Sequence, residues 1–124
     1  MELVTGGAFQ GKLGYAIKEY GFTDADICGC TDDAEPDFSA ACIYHYERYV
    51  KYCLREGIAP RTDFAESDAA PKVIIMDDVF CGVVPADPEL RAWRELCGRT
   101  ITALAHNADK VTRLFCGIPK TIKP

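Results

Sequence analysis

The sequence has no long hydrophobic run and no excess of basic residues. No stretch is long and apolar enough to span a membrane, and the residues after Met1 lack the positive region and apolar run of an export signal. Acidic residues outnumber basic ones, and the formal net charge of -5 argues against a nucleic acid or an anionic membrane as a partner. We therefore expect a cytoplasmic protein.

Histidines are scarce, and cysteines that lie close together in sequence are few. The chain has two histidines and seven cysteines, of which only Cys28 and Cys30 form a close pair. Neither a second pair nor a suitably spaced histidine completes a zinc site. An odd number of cysteines without an export signal favours free thiols in a reducing compartment, where most of them are small buried apolar residues.

What the sequence contains fits a globular protein of modest size. It has 124 residues, of which 48% are hydrophobic and 27% charged. No internal repeat or low-complexity segment is evident. We predict a single domain over residues 1–124, because this length supports one core.

The first thirteen residues carry the most distinctive motif. An apolar strand at Leu3 and Val4 leads into Gly6, and Gly11-Lys12 follow after four residues, which gives the pattern G-x-x-x-x-G-K of a phosphate-binding loop. In such a loop the backbone N–H groups, the lysine and the N-terminus of the next helix all face an anion. The predicted nucleotide-binding residues are Gly6, Gly7, Ala8, Phe9, Gln10, Gly11, Lys12 and Leu13.

One position departs from that pattern. Leu13 stands where a Ser or Thr hydroxyl usually ligates the Mg²⁺ that accompanies the nucleotide. An ordinary glycine-rich turn between a strand and a helix is therefore the alternative interpretation of this segment.

Strand and helix patterns alternate along the chain. Strands are predicted at 26–31, 73–78, 110–116 and 121–123, with a turn at Gly117 and Pro119. Helices are predicted after Gly11, over 38–56, and from an N-cap at Asp87. Residues 58–72 are predicted to be a loop. Strands separated by helices predict an α/β fold with a mostly parallel sheet flanked by helices, which binds ligands at the carboxyl ends of its strands.

A continuous apolar run at 73–76 ends in Asp77 and Asp78. Carboxylates at the end of a buried strand beside a phosphate-binding loop can hold Mg²⁺ through water or substrate phosphates. We therefore predict a metal site at Asp77 and Asp78. A solvated pair of strand-end residues is the alternative.

Several motifs occur in an order that resembles one known family. They are Thr5-Gly6-Gly7-Ala8 with Gly11-Lys12, Gly82-Val83-Val84-Pro85, Gly98-Arg99, Ala108-Asp109-Lys110-Val111 and Gly117-Ile118-Pro119-Lys120-Thr121-Ile122-Lys123. Together they resemble the bifunctional adenosylcobinamide kinase and adenosylcobinamide-phosphate guanylyltransferase family of cobalamin biosynthesis. The resemblance covers the first dozen residues and nearly everything from Val73 onward. It implies a P-loop NTPase-like (RecA-like) fold and, because the family is often trimeric, a homo-oligomer such as a trimer.

The resemblance also implies an activity and its residues. The family uses GTP or ATP with Mg²⁺ to phosphorylate adenosylcobinamide, and then transfers GMP to that phosphate through a guanylylated histidine in a helix after the second strand. Residues 40–45 resemble that segment, so His45 is the candidate nucleophile and Lys12 the candidate phosphate-binding residue. A half-buried histidine on an aromatic helix face is the alternative for His45.

The chain departs from the family pattern in ways that keep other functions open. Where relatives commonly have two adjacent histidines, His45 is followed by Tyr46. A strand carrying an acidic residue, with the helix after it, has no counterpart between Gly57 and Val73. Together with Leu13, these departures support a second hypothesis, a nucleotide-binding regulatory or partner subunit that has lost catalysis. A third, RNA binding through the tyrosine-rich helix, is disfavoured by the acidic charge.

Overall fold

The structure, a computed structural model, describes residues 1–64, 70–79 and 85–124. Its elements in chain order are β1 (Glu2–Gly6), α1 (Lys12–Tyr20), a 3-10 turn (Asp24–Asp26), β2 (Ile27–Gly29), β3 (Cys42–Tyr44), α2 (Tyr46–Glu56), β4 (Val73–Asp77), α3 (Pro88–Asn107), β5 (Lys110–Phe115) and β6 (Ile118–Lys123). Residues 82–84 of the motif that ends at Pro85 lie outside the described residues.

The strands form one sheet in the order β2-β3-β4-β1-β5-β6. All neighbouring strands are parallel except β5 and β6, which form an antiparallel hairpin at one edge. β1 lies inside the sheet between β4 and β5, so the glycine loop that follows it emerges at the carboxyl ends of the parallel strands. The mostly parallel α/β sheet of P-loop type is therefore confirmed.

Helices cover both faces of the sheet, because successive strand residues alternate between the two faces. On one face Val4, Ile75 and Leu114 pack with Ala16 of α1. The other face carries the larger core, in which α2 and α3 pack on the sheet. Its fully buried members include Leu3, Ile43, Tyr46, Val50, Ile74, Met76 and Leu104. Burial of one such aliphatic side chain contributes about 1.5–3 kcal/mol to folding.

The helix predicted over 38–56 is wrong in its first half. Cys42–Tyr44 form β3, a strand that pairs with β2 on one side and β4 on the other, and α2 begins only at Tyr46. Cys42 and Ile43 are fully buried within the sheet. A short run that is buried on both faces has no alternating pattern, so periodicity alone does not separate it from a helix turn.

β3 and α2 lie directly before Gly57, and the acidic Glu47 follows the end of β3 by three residues. Residues 30–41 between β2 and β3 contain no helix. Between Gly57 and Val73 the described residues contain neither a strand nor a helix, as expected from the sequence.

The remaining predicted elements agree apart from their ends. Residues 58–64 and 70–72 contain neither helix nor strand, as predicted for this loop, and Asp87 caps α3 by accepting a hydrogen bond from the Glu89 N–H. The predicted turn at Pro119 is wrong, because Pro119 lies within β6. An edge strand tolerates proline, since one of its sides lacks a partner strand that would need the missing N–H.

Candidate active site at the glycine loop

The glycine loop has the backbone that its sequence requires. Gly6 has a φ of 141°, and an added Cβ would lie 2.4 Å from the carbonyl oxygen of Leu114 in β5. Gly11 has a φ of 86° and forms the N-cap of α1 without a side-chain hydrogen bond. The loop therefore passes close to β5 and leaves the first N–H groups of α1 available to an anion.

Lys12, the first residue of α1, reaches back over the loop. Its ammonium donates to the Gly7 carbonyl oxygen at 2.6 Å and pairs with Asp77 Oδ1 at 2.7 Å. The residue is buried, with only 6% of its side chain exposed. The lysine is thus positioned at the predicted phosphate site, where a bound anion would compete with Asp77 for its charge.

His45 lies at the junction of β3 and α2, not inside a helix that follows β2. It is the N-cap of α2 with a left-handed φ of 58°, a conformation that is uncommon outside glycine but is adopted more often by asparagine, aspartate and histidine than by other residues. Its Nδ1 lies 3.1 Å from Glu47 Oε1, and its ring packs against Tyr44. The His45 side chain and the glycine loop line the same cavity.

Glu47 connects His45 to β4 and was missed by the sequence interpretation. Its Oε2 accepts a hydrogen bond from the Asp77 N–H at 3.2 Å, and its backbone carbonyl accepts one from the Trp93 indole at 2.8 Å. Burial, followed by the nearby charge of Asp77, raises the pKa of the Glu47 carboxyl. An acidic residue two positions after a histidine was the available signal, but a predicted continuous helix placed those two side chains on different faces.

These residues surround a cavity of about 440 Å³ beside the glycine loop. Its lining residues are Ala8, Phe9, Gln10, Gly11, Lys12, Leu13, Gly14, Tyr44, His45, Glu47, Arg48, Ile75 and Asp77. Six of the eight predicted loop residues are therefore in the lining, while Gly6 and Gly7 lie at the base of the loop. A larger and more open hollow, of about 770 Å³, lies on the outer side of α3 at residues such as Arg99 and His106.

Asp77 and Asp78 point to different places. Asp77 is in the cavity with Lys12, whereas Asp78 pairs with Arg113 of β5 at 3.1 Å. Leu13 offers no hydroxyl, so the donor set does not fit a Mg²⁺ ion held by these two carboxylates. Instead, ligand atoms of His45, Glu47 and Asp77 all lie within 4.8 Å of one another.

Sequence comparison identifies the family of the chain. The family described as cobinamide kinase / cobinamide phosphate guanyltransferase matches residues 38–122, more than half of the chain. The chain belongs to this family. The matched region contains His45, Glu47 and Asp77 and ends within β6. The glycine loop lies before the matched region, so its interpretation as a phosphate-binding loop depends on its sequence motif and its geometry. No match to a curated protein accompanies the family match.

Membership places the chain in a family of cobalamin biosynthesis with cobinamide kinase and guanylyltransferase activities. Such enzymes use GTP or ATP as substrates, and a corrinoid substrate fits the family. Among the described residues, no helix combines the length and apolar character that a membrane crossing requires.

Proposed function

We propose that this chain binds GTP or ATP at the glycine loop and transfers a phosphoryl or guanylyl group to adenosylcobinamide or its phosphate. One observation carries the proposal: the Lys12–Asp77 and His45–Glu47 pairs meet in a single cavity beside the loop. The first pair provides a phosphate-binding cation and the second provides a nucleophile with an orienting base.

Phosphate binding is supported by three groups that converge on one point. The loop backbone, the uncapped start of α1 and the Lys12 ammonium all present positive charge to the cavity. Phosphoryl transfer depends mainly on such positioning and electrostatic stabilisation. Lys12 would exchange Asp77 for a nucleotide phosphate oxygen when the nucleotide binds.

The chemistry of guanylyl transfer is supported by the His45–Glu47 pair. A carboxylate 3.1 Å from Nδ1 favours the tautomer that carries its proton there, which leaves the lone pair on Nε2. Nε2 would attack the α-phosphorus of GTP, and the bond to pyrophosphate would break. A phosphate oxygen of the corrinoid would then displace His45, regenerate the free imidazole and take the GMP.

Intact mass spectrometry after incubation with GTP tests this proposal. We expect a mass increase of one GMP in the wild-type chain, mapped to His45, and its loss in His45→Asn. Asparagine is suitable because it tolerates the left-handed backbone of this position. His106→Ala is the matched control, since His106 lies on α3 outside the cavity, and it should still form the adduct. GTP binding without an adduct in any variant would rule out transfer through His45.

The alternative function is a catalytically degenerate nucleotide-binding subunit that regulates or partners an active enzyme. Leu13 in place of a hydroxyl and the occupied Lys12 ammonium favour it. GTP binding to the wild-type chain without GMP adduct, without nucleotide hydrolysis and without phosphorylation of adenosylcobinamide would support this alternative.

We further propose a homo-oligomer, with a trimer as the expected form. Support comes from the exposed hydrophobic side chains of the β5–β6 hairpin, Phe115, Ile118 and Ile122, which lie at a sheet edge. A chain that sediments as a monomer at micromolar concentration would contradict this expectation.

A further inference from the structure

The grouping of His45, Glu47 and Asp77 has a property that nucleotide binding does not explain. One nitrogen and two carboxylate ligands from two elements meet at one point, where α2 begins and β4 ends. Within residues 1–64, 70–79 and 85–124, no other three histidine, cysteine or acidic side chains come together in this way. The left-handed turn at His45 creates the grouping, because it brings Nδ1 to within 3.1 Å of Glu47 Oε1.

The chemistry of these ligands distinguishes between metal ions. Mg²⁺ prefers oxygen ligands in a near-ideal octahedron and usually keeps several waters. An imidazole nitrogen beside two carboxylates favours first-row transition ions, whose affinity for nitrogen ligands is higher. The site that the sequence predicted for Mg²⁺ used Asp78, but that carboxylate is engaged with Arg113.

Charge in the cavity also favours a second cation. Glu47 and Asp77 are 6% and 18% exposed, and the Lys12 ammonium compensates one of the two carboxylates. Two carboxylates brought together away from water are destabilised unless positive charge is nearby. If Lys12 moves to a nucleotide phosphate, neither carboxylate keeps a lysine partner.

We propose that His45, Glu47 and Asp77 form a binding site for a divalent first-row transition ion, such as Mn²⁺, Fe²⁺, Co²⁺ or Zn²⁺. The site does not require nucleotide, so it goes beyond the function proposed above. It also has a consequence that rests on that function. An ion bound to Nδ1 leaves the His45 proton on Nε2, so the same imidazole cannot attack GTP. Metal binding and guanylylation of His45 therefore exclude each other.

Mn²⁺ binding to the metal-stripped full chain tests the site directly. Mn²⁺ is the preferred probe because thiolates select softer ions, so the cysteines should not compete. Free Mn²⁺ is counted by electron paramagnetic resonance during a titration without nucleotide. We expect one bound ion per wild-type chain that excess Mg²⁺ displaces poorly. In His45→Asn the affinity for Mn²⁺ should fall at least about tenfold, and Mg²⁺ should then compete.

Three further variants distinguish Mn²⁺ binding at this grouping from binding elsewhere on the chain. His106→Ala and Asp78→Asn should bind Mn²⁺ as the wild type does, because neither side chain belongs to the grouping. Lys12→Met should bind Mn²⁺ more tightly, because it removes the ammonium that pairs with Asp77. A purely structural role of Lys12 would not increase metal affinity. Far-UV circular dichroism checks that each variant is folded, and His45→Gly, which suits the positive φ, replaces His45→Asn if that variant is not.

Equal Mn²⁺ affinity in the wild type and in a folded His45 variant would overturn the proposal, as would easy displacement of Mn²⁺ by Mg²⁺ in the wild type. Failure of the proposed function looks different, because it is measured as a missing GMP adduct in metal-stripped protein supplied only with Mg²⁺ and GTP. If both proposals hold, saturating Mn²⁺ should suppress that adduct.

Discussion

Gly6 shows how one residue fixes the position of the whole glycine loop. It combines a left-handed φ with an approach to β5 that leaves no room for a side chain. The glycine loop could be predicted from spacing alone, and the structure adds a reason of its own: the neighbouring strand β5 leaves no room for a side chain at the first glycine.

We expect Gly6→Ala to cost more than about 3 kcal/mol, because backbone strain adds to a collision with the Leu114 carbonyl, which cannot move without disturbing β5. Gly14→Ala is the matched control. An added methyl there meets nothing within 4 Å, and alanine should stabilise α1 by about 0.5–1 kcal/mol. Urea unfolding followed by circular dichroism measures both. A Gly6→Ala chain as stable as the wild type would show that the loop lies farther from β5.

The residues of the candidate site divide into those that sequence could reveal and those that it could not. Lys12 and Asp77 were predictable, because each follows from a local pattern, a glycine motif and a buried strand end. Glu47 was not predictable, because its contact with the His45 imidazole depends on a left-handed backbone at His45 that the local sequence pattern does not indicate. The pairing of Asp78 with Arg113, 35 positions later, could not be predicted from local patterns either.

At the scale of elements, α1 is held to the sheet by a buried carboxylate. Glu2 at the start of β1 accepts hydrogen bonds from Tyr15 and Tyr20 of α1 and from Thr112 of β5. Burial, and then the hydrogen bond to Glu2, raise the pKa of Tyr20, and burial also raises that of Tyr15. This network lies at the end of β1 opposite the glycine loop and so fixes the other end of the helix–strand unit.

Those raised pKa values predict that stability falls in alkali. The folded state holds the phenolic protons more tightly than the unfolded state, so their contribution is complete below about pH 10 and is lost as pH rises through the higher folded values. Tyr20→Phe should lower stability by about 1 kcal/mol at pH 7 and make the alkaline decline less steep. Tyr52→Phe is the control, because the Tyr52 hydroxyl makes no hydrogen bond within the described part of the chain. Urea midpoints from pH 7 to 11 that decline equally in all three chains would contradict the prediction.

The elements themselves were largely predictable, with one instructive exception. β4 and α3 have strong local signals, a continuous apolar run in one and the Asp87-Pro88 cap in the other. β3 has three residues and depends on pairing with β2 and β4, so its conformation is decided by strands that lie far from it in sequence. Pairing with β2 and β4 therefore outweighed an apolar pattern over 38–56 that also fits a helix.

The sheet has one hydrophobic core on each face, and each core contains a buried cysteine. These cysteines can report whether the two faces unfold together. Cys42 is fully buried in the core beneath α1, and Cys97 is fully buried in the core beneath α2 and α3. Burial raises the pKa of the Cys42 thiol to about 11 and that of Cys97 to about 12, so neither is a thiolate in the folded protein at pH 8.

If residues 1–124 fold as one domain, Cys42 and Cys97 should become reactive to iodoacetamide at the same urea concentration. Mass spectrometry of peptides after brief labelling at pH 8 measures each site separately. Cys116, which is exposed, is the internal control and should react without urea. Two clearly different midpoints for Cys42 and Cys97 would show that the two faces of the sheet unfold separately.

The order of the strands also determines when the candidate nucleotide site can form during synthesis. β1 and the glycine loop leave the ribosome well before both neighbours of β1, because β4 begins at Val73 and β5 at Lys110. Gln10 of the loop is held by the N–H groups of Cys116 and Gly117 in the β5–β6 turn. A nascent chain therefore carries the glycine motif without a folded loop until this turn has been made, and the proposed capacity to bind nucleotide should appear abruptly once the turn has emerged.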